Sequence, residues 1–135
     1  ELKRFIEQST WVAANDYEAS LISERTGLTA QQISAKVKAL IITRGGSGST
    51  IYADGKEITV PVARPETVAD PTGCGDAYRA GLIYGLQQGH DWLTTGRIAS
   101  LVGALKIEKH GTQNHRFTRS EFAARFQENF GAALP

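Results

Sequence analysis

The chain has 135 residues, 41% hydrophobic and 21% charged, which suits one folded core and excludes a disordered polyelectrolyte. Its 15 basic and 14 acidic residues nearly cancel to a formal +1, so no basic surface for nucleic acid or an acidic membrane is expected. Cys74 is the single cysteine, which excludes an internal disulfide and fits a reducing compartment. No apolar run reaches the roughly 18 residues that span a bilayer. The opening Glu1-Leu2-Lys3-Arg4 lacks the apolar core of a signal peptide, and a cytoplasmic protein is expected.

In chain order, Leu2, Phe5 and Ile6 have helical spacing and suggest the end of a helix. Residues 10–14 form a short apolar run suited to a buried strand, which stops at Asn15. Residues 18–25 read as a helix, with Gly27 just past its C-terminus. Thr29 followed by Gln32 resembles a capping box that opens a second helix through about Lys38. Residues 40–43 are a second buried-strand candidate, running into Gly45-Gly46-Ser47-Gly48. Residues 49–53 and 57–60 read as strands, and the Asp54-Gly55 pair between them is a hairpin signal. Residues 61–71 read as a loop with extended stretches.

Residues 77–86 are strongly apolar and predict a buried helix, with Ala77, Gly81 and Gly85 recurring every four residues as a ridge for close packing. Ile98, Leu101, Val102 and Leu105 mark the apolar face of another helix, over by Asn114 or His115. Phe122, Phe126 and Phe130 recur by four along a last amphipathic helix over 121–130. Strands alternating with helices imply an α/β fold with a mostly parallel sheet, and no repeat or linker divides it.

The segment Asp70-Pro71-Thr72-Gly73-Cys74-Gly75-Asp76-Ala77 places two glycines where the long apolar helix begins. Glycine weakens a helix by about 0.5–1 kcal/mol relative to alanine, so two here need a reason. One reason is a close ligand: free N–H groups at the positive end of a helix dipole form an anion site. Asp76 would then project beside it, able to take a proton from an attacking hydroxyl during phosphoryl transfer. The other reading is an ordinary capped helix in which Thr72 or Gly73 sits near the cap and Asp76 favours the dipole. Spacing alone leaves both open.

Two further segments carry weaker signals. In Asn15-Asp16-Tyr17-Glu18, a carboxylate lies just beyond a strand end, where it can hold magnesium through water or simply face solvent from a helix. Thr43-Arg44-Gly45-Gly46-Ser47-Gly48 is a glycine-rich turn. A nicotinamide-binding fingerprint would need a helix after Gly48, whereas a hairpin is expected there. The P-loop pattern G-x-x-x-x-G-K-[ST] is absent.

Together these segments resemble the PfkB, or ribokinase, family of carbohydrate and nucleoside kinases. Residues 70–76 are similar to its second signature, D-T-x-G-[AG]-G-D, with Pro71 and Cys74 as departures. The form D-P-T-G-x-G-D-A is closest to bacterial adenosine kinases of this family. Asn15 to Glu18 resemble its N-x-x-E motif, and Thr43 to Gly48 its T-x-G-x-x-G loop. The resemblance implies a ribokinase-like three-layer α/β/α sandwich and ATP-dependent phosphorylation of a primary hydroxyl. It implies Asp76 as catalytic base and Gly73, Cys74, Gly75 and Asp76 as the anion hole. Thr43, Gly45, Gly48 and Asn15 would face ATP, and Glu18 would aid magnesium, usually through water. Asp70 and Thr72 would help hold a monovalent cation such as potassium, or else make the turn and cap the helix.

Residues 99–105 and Gly111-Thr112-Gln113 lie where the family shapes its adenine pocket and nearby cation site, with helix core and ordinary loop as the alternatives. Arg79 is set to contact a phosphate, pair with Asp76 or face solvent. Arg44 is expected at the surface, with ATP within reach as the alternative. His90, His110 and His115 have no ligand-like spacing, and Trp11 and Trp92 read as packing residues. The resemblance runs from Asn15 to about Gln113 and covers only the second half of a family member. With no methionine in the chain, a fragment lacking the N-terminal half and lid is expected. The acceptor expected is a nucleoside, adenosine first, with ribose, fructose or another sugar as alternatives. A non-catalytic nucleotide-binding module is the alternative of another class. Homo-oligomerisation is left open.

Overall fold

Residues 11–64, 74–108 and 118–135 are described by the structure, a computed structural model. They fall into two units, Glu1–Val60 and Pro61–Pro135. The helix end expected around Phe5 lies outside the described residues.

The first unit runs β1 (Trp11–Asn15), α1 (Asp16–Thr26), α2 (Ala30–Ser34), β2 (Ala39–Thr43), a 3₁₀ turn (Gly45–Ser47), β3 (Ser49–Ala53) and β4 (Lys56–Val60). Its sheet has the order β1-β2-β3-β4. β1 pairs β2 in parallel, with Trp11 opposite Ala39 and Asn15 opposite Thr43. The other two pairings are antiparallel, so among the described strands the sheet is mixed rather than mostly parallel. The reason is connection length. Residues 16–38, with two helices, allow a crossover, whereas residues 44–48 and Asp54-Gly55 are too short for anything but a reversal. Asp54 and Gly55 both have positive φ, 53° and 71°, as a two-residue hairpin turn requires.

Leu40 and Ile42 point to one face of the sheet and pack with Ile33 of α2 and partly buried Val12, Ile22 and Leu28. Ile41 and its register partner Ile51 are fully buried on the other face. β1 differs from the buried strand expected: only Ala14 is buried, and among the described strands β1 has one hydrogen-bonded neighbour, β2. α2 is shorter than expected, ending at Ser34 rather than near Lys38. Past its buried Ile33 the N–H groups of Lys36 and Val37 make tighter i→i−3 bonds as the chain turns into β2.

The second unit contains α3 (Cys74–Gln87), α4 (Trp92–Ile107) and α5 (Arg119–Phe130). The ridge on α3 meets α4 at very close range. A Cβ on Gly81 would lie 2.6 Å from Ala99 Cα, and one on Gly85 would lie 2.8 Å from Thr95 Oγ1. α3 is not buried all round, however: Ile83 and Tyr84 are 47% and 51% exposed. They lie off the glycine ridge that faces α4. The core of this unit gathers Ala63, Ile98, Leu101, Ala104 and Leu105 with Phe122 and Phe126. Phe130 joins it edge-to-face with Phe126, ring centroids 4.9 Å apart. α4 is over at Ile107, within the limit set by Asn114 and His115. Among the described residues no helix is long and apolar enough to cross a membrane.

Candidate active site

The parallel pair β1–β2 ends with Asn15 opposite Thr43, so two of the sequence-predicted residues stand side by side at the carboxyl ends of neighbouring strands. Open α/β sheets bind ligands at that edge. Asn15 caps α1: its Oδ1 accepts the Glu18 N–H at 2.7 Å, and Glu18 Oε1 accepts the Asn15 N–H at 2.9 Å. The N-x-x-E motif is therefore a reciprocal capping box, which satisfies two donors and fixes where the Glu18 carboxylate sits. One Glu18 oxygen is committed to the backbone. Among the described residues no three His, Cys, Asp or Glu gather into a metal cluster.

Beyond Thr43 the chain makes the single 3₁₀ turn at Gly45–Ser47. The Ser47 N–H donates to Arg44 O at 3.0 Å, and the Arg44 N–H donates to Gly48 O at 2.8 Å. Gly48 has φ 87° and ψ −153°, a conformation open only to glycine, so its place in the motif has a backbone reason. β3 follows directly, which rules out the helix a dinucleotide fingerprint needs. Arg44 is half-buried rather than exposed: its Nη1 donates to Thr50 Oγ1 on β3. On the next turn of that strand face, burial and then Glu57 push the Tyr52 hydroxyl pKa up, with Arg44 opposing.

In the second unit Asp76 stands in the first turn of α3, its side chain 89% exposed and 3.5 Å from Arg79 Nη1. Arg79 therefore turns toward Asp76, but at that distance and exposure the pair is weak and leaves the carboxylate accessible. Gly75 is the informative neighbour. Among the described residues a Cβ there would meet only Arg79 Nη1, at 3.8 Å, and its φ is not positive. Packing explains Gly81 and Gly85, but neither packing nor backbone conformation among the described residues explains Gly75. A space left open at a helix N-terminus, beside an accessible carboxylate, suits a phosphate group approaching the backbone. Asp70, Thr72 and Gly73 lie outside the described residues, and Cys74 is the first residue of the helix.

Of residues 99–105, Ala99, Leu101, Ala104 and Leu105 are buried helix core. Ser100 is different. Its Oγ accepts the Ala63 N–H at 2.8 Å and donates to Pro61 O at 3.3 Å. Gly111, Thr112 and Gln113 lie outside the described residues. A cavity of about 500 Å³ between the helices is lined by Tyr84, His90, Ile98, Val102 and Phe122 among others, so Val102 of the expected adenine-pocket span faces it. Sequence reasoning missed the pair Arg125–Glu108, whose two bonds span 3.1 and 2.6 Å. A glutamate just past the end of α4 and an arginine on α5 carry no local spacing signal.

Each unit carries its own candidate feature: motif residues at strand ends in the first, and an acid beside a glycine at a helix N-terminus in the second. The profile of the pfkB family carbohydrate kinases matches residues 1–118, and the chain belongs to that family. It is 30% identical over 128 residues to the nucleoside kinase of Methanocaldococcus jannaschii, covering 95% of this chain and 42% of that enzyme. The structure of Burkholderia thailandensis nucleoside kinase in complex with inosine superposes with a TM-score of 0.93 at 51% identity, covering 98% of this chain and 44% of that one. That enzyme has also been determined in a complex described as ADP-inosine. Arabidopsis thaliana ribokinase, complexed with ribose and ATP, shares the fold at 22% identity and a TM-score of 0.74, over 90% of this chain and 42% of that one. The ribokinase-like α/β fold is thus established, and the chain spans under half the length of these relatives.

Proposed function

We propose that this chain forms the nucleotide-binding and catalytic part of a nucleoside kinase that transfers the γ-phosphoryl group of ATP to a primary hydroxyl of its substrate. The observation that carries this reading is Gly75, kept open beside the accessible Asp76 while Gly81 and Gly85 on the same helix are closed by packing. The nucleoside class is supported by the 51% identity to an enzyme that binds inosine. Adenosine is the first acceptor to test, from the D-P-T-G-C-G-D-A signature, and inosine the second.

In this reading the amides of Gly73 to Asp76 hold charge on the phosphoryl group in flight. The Asp76 carboxylate takes the proton of the acceptor hydroxyl as its oxygen bonds to the γ-phosphorus. The bond from that phosphorus to the bridging oxygen breaks, and ADP leaves with the electron pair. Thr43, Gly45, Gly48 and Asn15 face the nucleotide from the strand ends. Glu18 would help hold magnesium, which would supply charge neutralisation on the phosphates. Asp70 and Thr72 are proposed for a monovalent cation. A coupled assay of the full-length protein with ATP, magnesium and a panel of adenosine, inosine, ribose and fructose tests the reading. Turnover on a nucleoside is the expected result, and turnover on sugars alone would move the acceptor class.

A further inference from the structure

The turn between β2 and β3 closes on itself through its backbone. The Arg44, Ser47 and Gly48 N–H groups donate to Gly48 O, Arg44 O and Gly45 O at 2.8, 3.0 and 3.2 Å. Gly45 and Gly48 have positive φ, 55° and 87°, a conformation that residues with a Cβ rarely adopt. The turn has little packing of its own: among the described residues a Cβ on Gly45 would meet nothing within 4 Å. Its attachment to the sheet comes from a side chain.

That side chain is Arg44, at the root of the turn. Its Nη1 donates to Thr50 Oγ1, reaching past the turn to β3. Thr50 is 8% exposed and stands opposite Ile42 on β2 and Thr59 on β4. Tyr52 lies two residues further along β3, on the same face of the sheet. Its ring packs against the cluster of Ile33, Leu40 and Ile42. Its hydroxyl has the side chains of both Arg44 and Glu57 as hydrogen-bond partners, and Glu57 is its register partner on β4. One guanidinium thus ties the turn to β3 and, through Tyr52, to β4. Nη1 is committed inward to a buried hydroxyl rather than displayed to solvent as a phosphate ligand.

We propose that Arg44 is a positioning residue for the nucleotide: with Thr50, Tyr52 and Glu57 it braces the Gly45–Gly48 turn in its binding conformation before ATP arrives. This role rests on the reading above in which Thr43, Gly45 and Gly48 face the nucleotide. The physical effect is preorganisation. A turn already ordered in the free protein loses less conformational entropy on binding, and the difference appears as affinity. The brace takes no part in proton removal by Asp76, so its loss weakens ATP binding and leaves turnover at saturation alone.

The test uses three substitutions in the full-length protein. Thr50→Val keeps the volume and removes the acceptor, Thr50→Ser keeps the acceptor, and Arg44→Met keeps the stem and removes the donor. The ATP KM and kcat are measured at saturating nucleoside, and the ATP Kd by calorimetry. Thr50→Val and Arg44→Met are each expected to raise KM and Kd by about three- to tenfold, with kcat at saturating ATP within about twofold of the parent. Thr50→Ser is expected to stay near the parent. The double variant should bind ATP about as well as Arg44→Met alone, because both changes remove the same bond. Unchanged KM and Kd in folded Thr50→Val and Arg44→Met would overturn the inference. An equal loss in Thr50→Ser would overturn it too, since the effect would then be one of packing. The kinase reading fails separately: a parent that binds ATP and phosphorylates no acceptor sinks that reading, while the brace is still decided by the ATP Kd. A parent that binds no ATP sinks both.

Discussion

Asn15 and Glu18 each accept the other's backbone N–H, at 2.7 and 2.9 Å, at the end of a strand whose parallel neighbour ends in Thr43. The motif that resembles a magnesium- and phosphate-binding sequence is thus also a helix cap, and the two roles can be separated by substitution.

Glu18→Gln keeps a side-chain oxygen for the Asn15 N–H and so preserves the capping box. Its stability should stay within about 0.5 kcal/mol of the parent. The magnesium concentration for half-maximal rate should rise, because the carboxylate charge is gone. Glu18→Ala should lose both cap and charge. A magnesium titration alongside thermal melts checks this. An unchanged titration for Glu18→Gln would leave Glu18 as a cap alone.

Two glycines on α3 should respond with opposite sign. At Gly75 an added Cβ meets, among the described residues, only Arg79 Nη1 at 3.8 Å, so Gly75→Ala should be neutral or stabilise the helix by up to about 1 kcal/mol while activity falls. At Gly81 the added Cβ would sit 2.6 Å from the Ala99 backbone, so Gly81→Ala should destabilise by about 1–3 kcal/mol or more. Denaturant melts and turnover of both variants check the pair.

Asp91 caps α4, accepting the Thr94 N–H at 2.8 Å. That backbone bond, then the Thr94 side chain, then the charges of His90 and Arg97 hold its carboxyl below the usual carboxylate range. A group depressed in the folded state contributes stability above its unfolded pKa and loses it as pH falls through the folded value. The contribution should therefore be complete at neutral pH and fade below about pH 4. Asp91→Ala should cost about 0.5–2 kcal/mol at pH 7. Asp91→Asn should keep most of the cap and flatten the acid limb of a stability–pH curve.

Local signals in the sequence were read well. Asp54-Gly55 requires two positive φ angles in succession, Phe122, Phe126 and Phe130 recur by four on one helix face, and Thr29 to Gln32 is a capping box in the structure. What failed depends on neighbours distant in sequence. The exposure of Ile83 and Tyr84 is set by which face of α3 meets α4, and the burial of β1 by the strands beside it. At the candidate site, Asp76, Gly75, Asn15 and Glu18 stand out in the sequence because each lies in a short motif. The link from Arg125 to Glu108 does not, because it joins two segments through side chains with no periodicity.

The most direct measurement is the turnover of Asp76→Asn in the full-length protein with saturating ATP, magnesium and the best nucleoside, with ATP affinity measured by calorimetry. The substitution keeps size and shape but removes the carboxylate proposed to take the hydroxyl proton. Turnover should fall by about 10²–10⁴-fold while ATP binding stays close to the parent. Turnover within about threefold of the parent would remove Asp76 as the base and contradict the account.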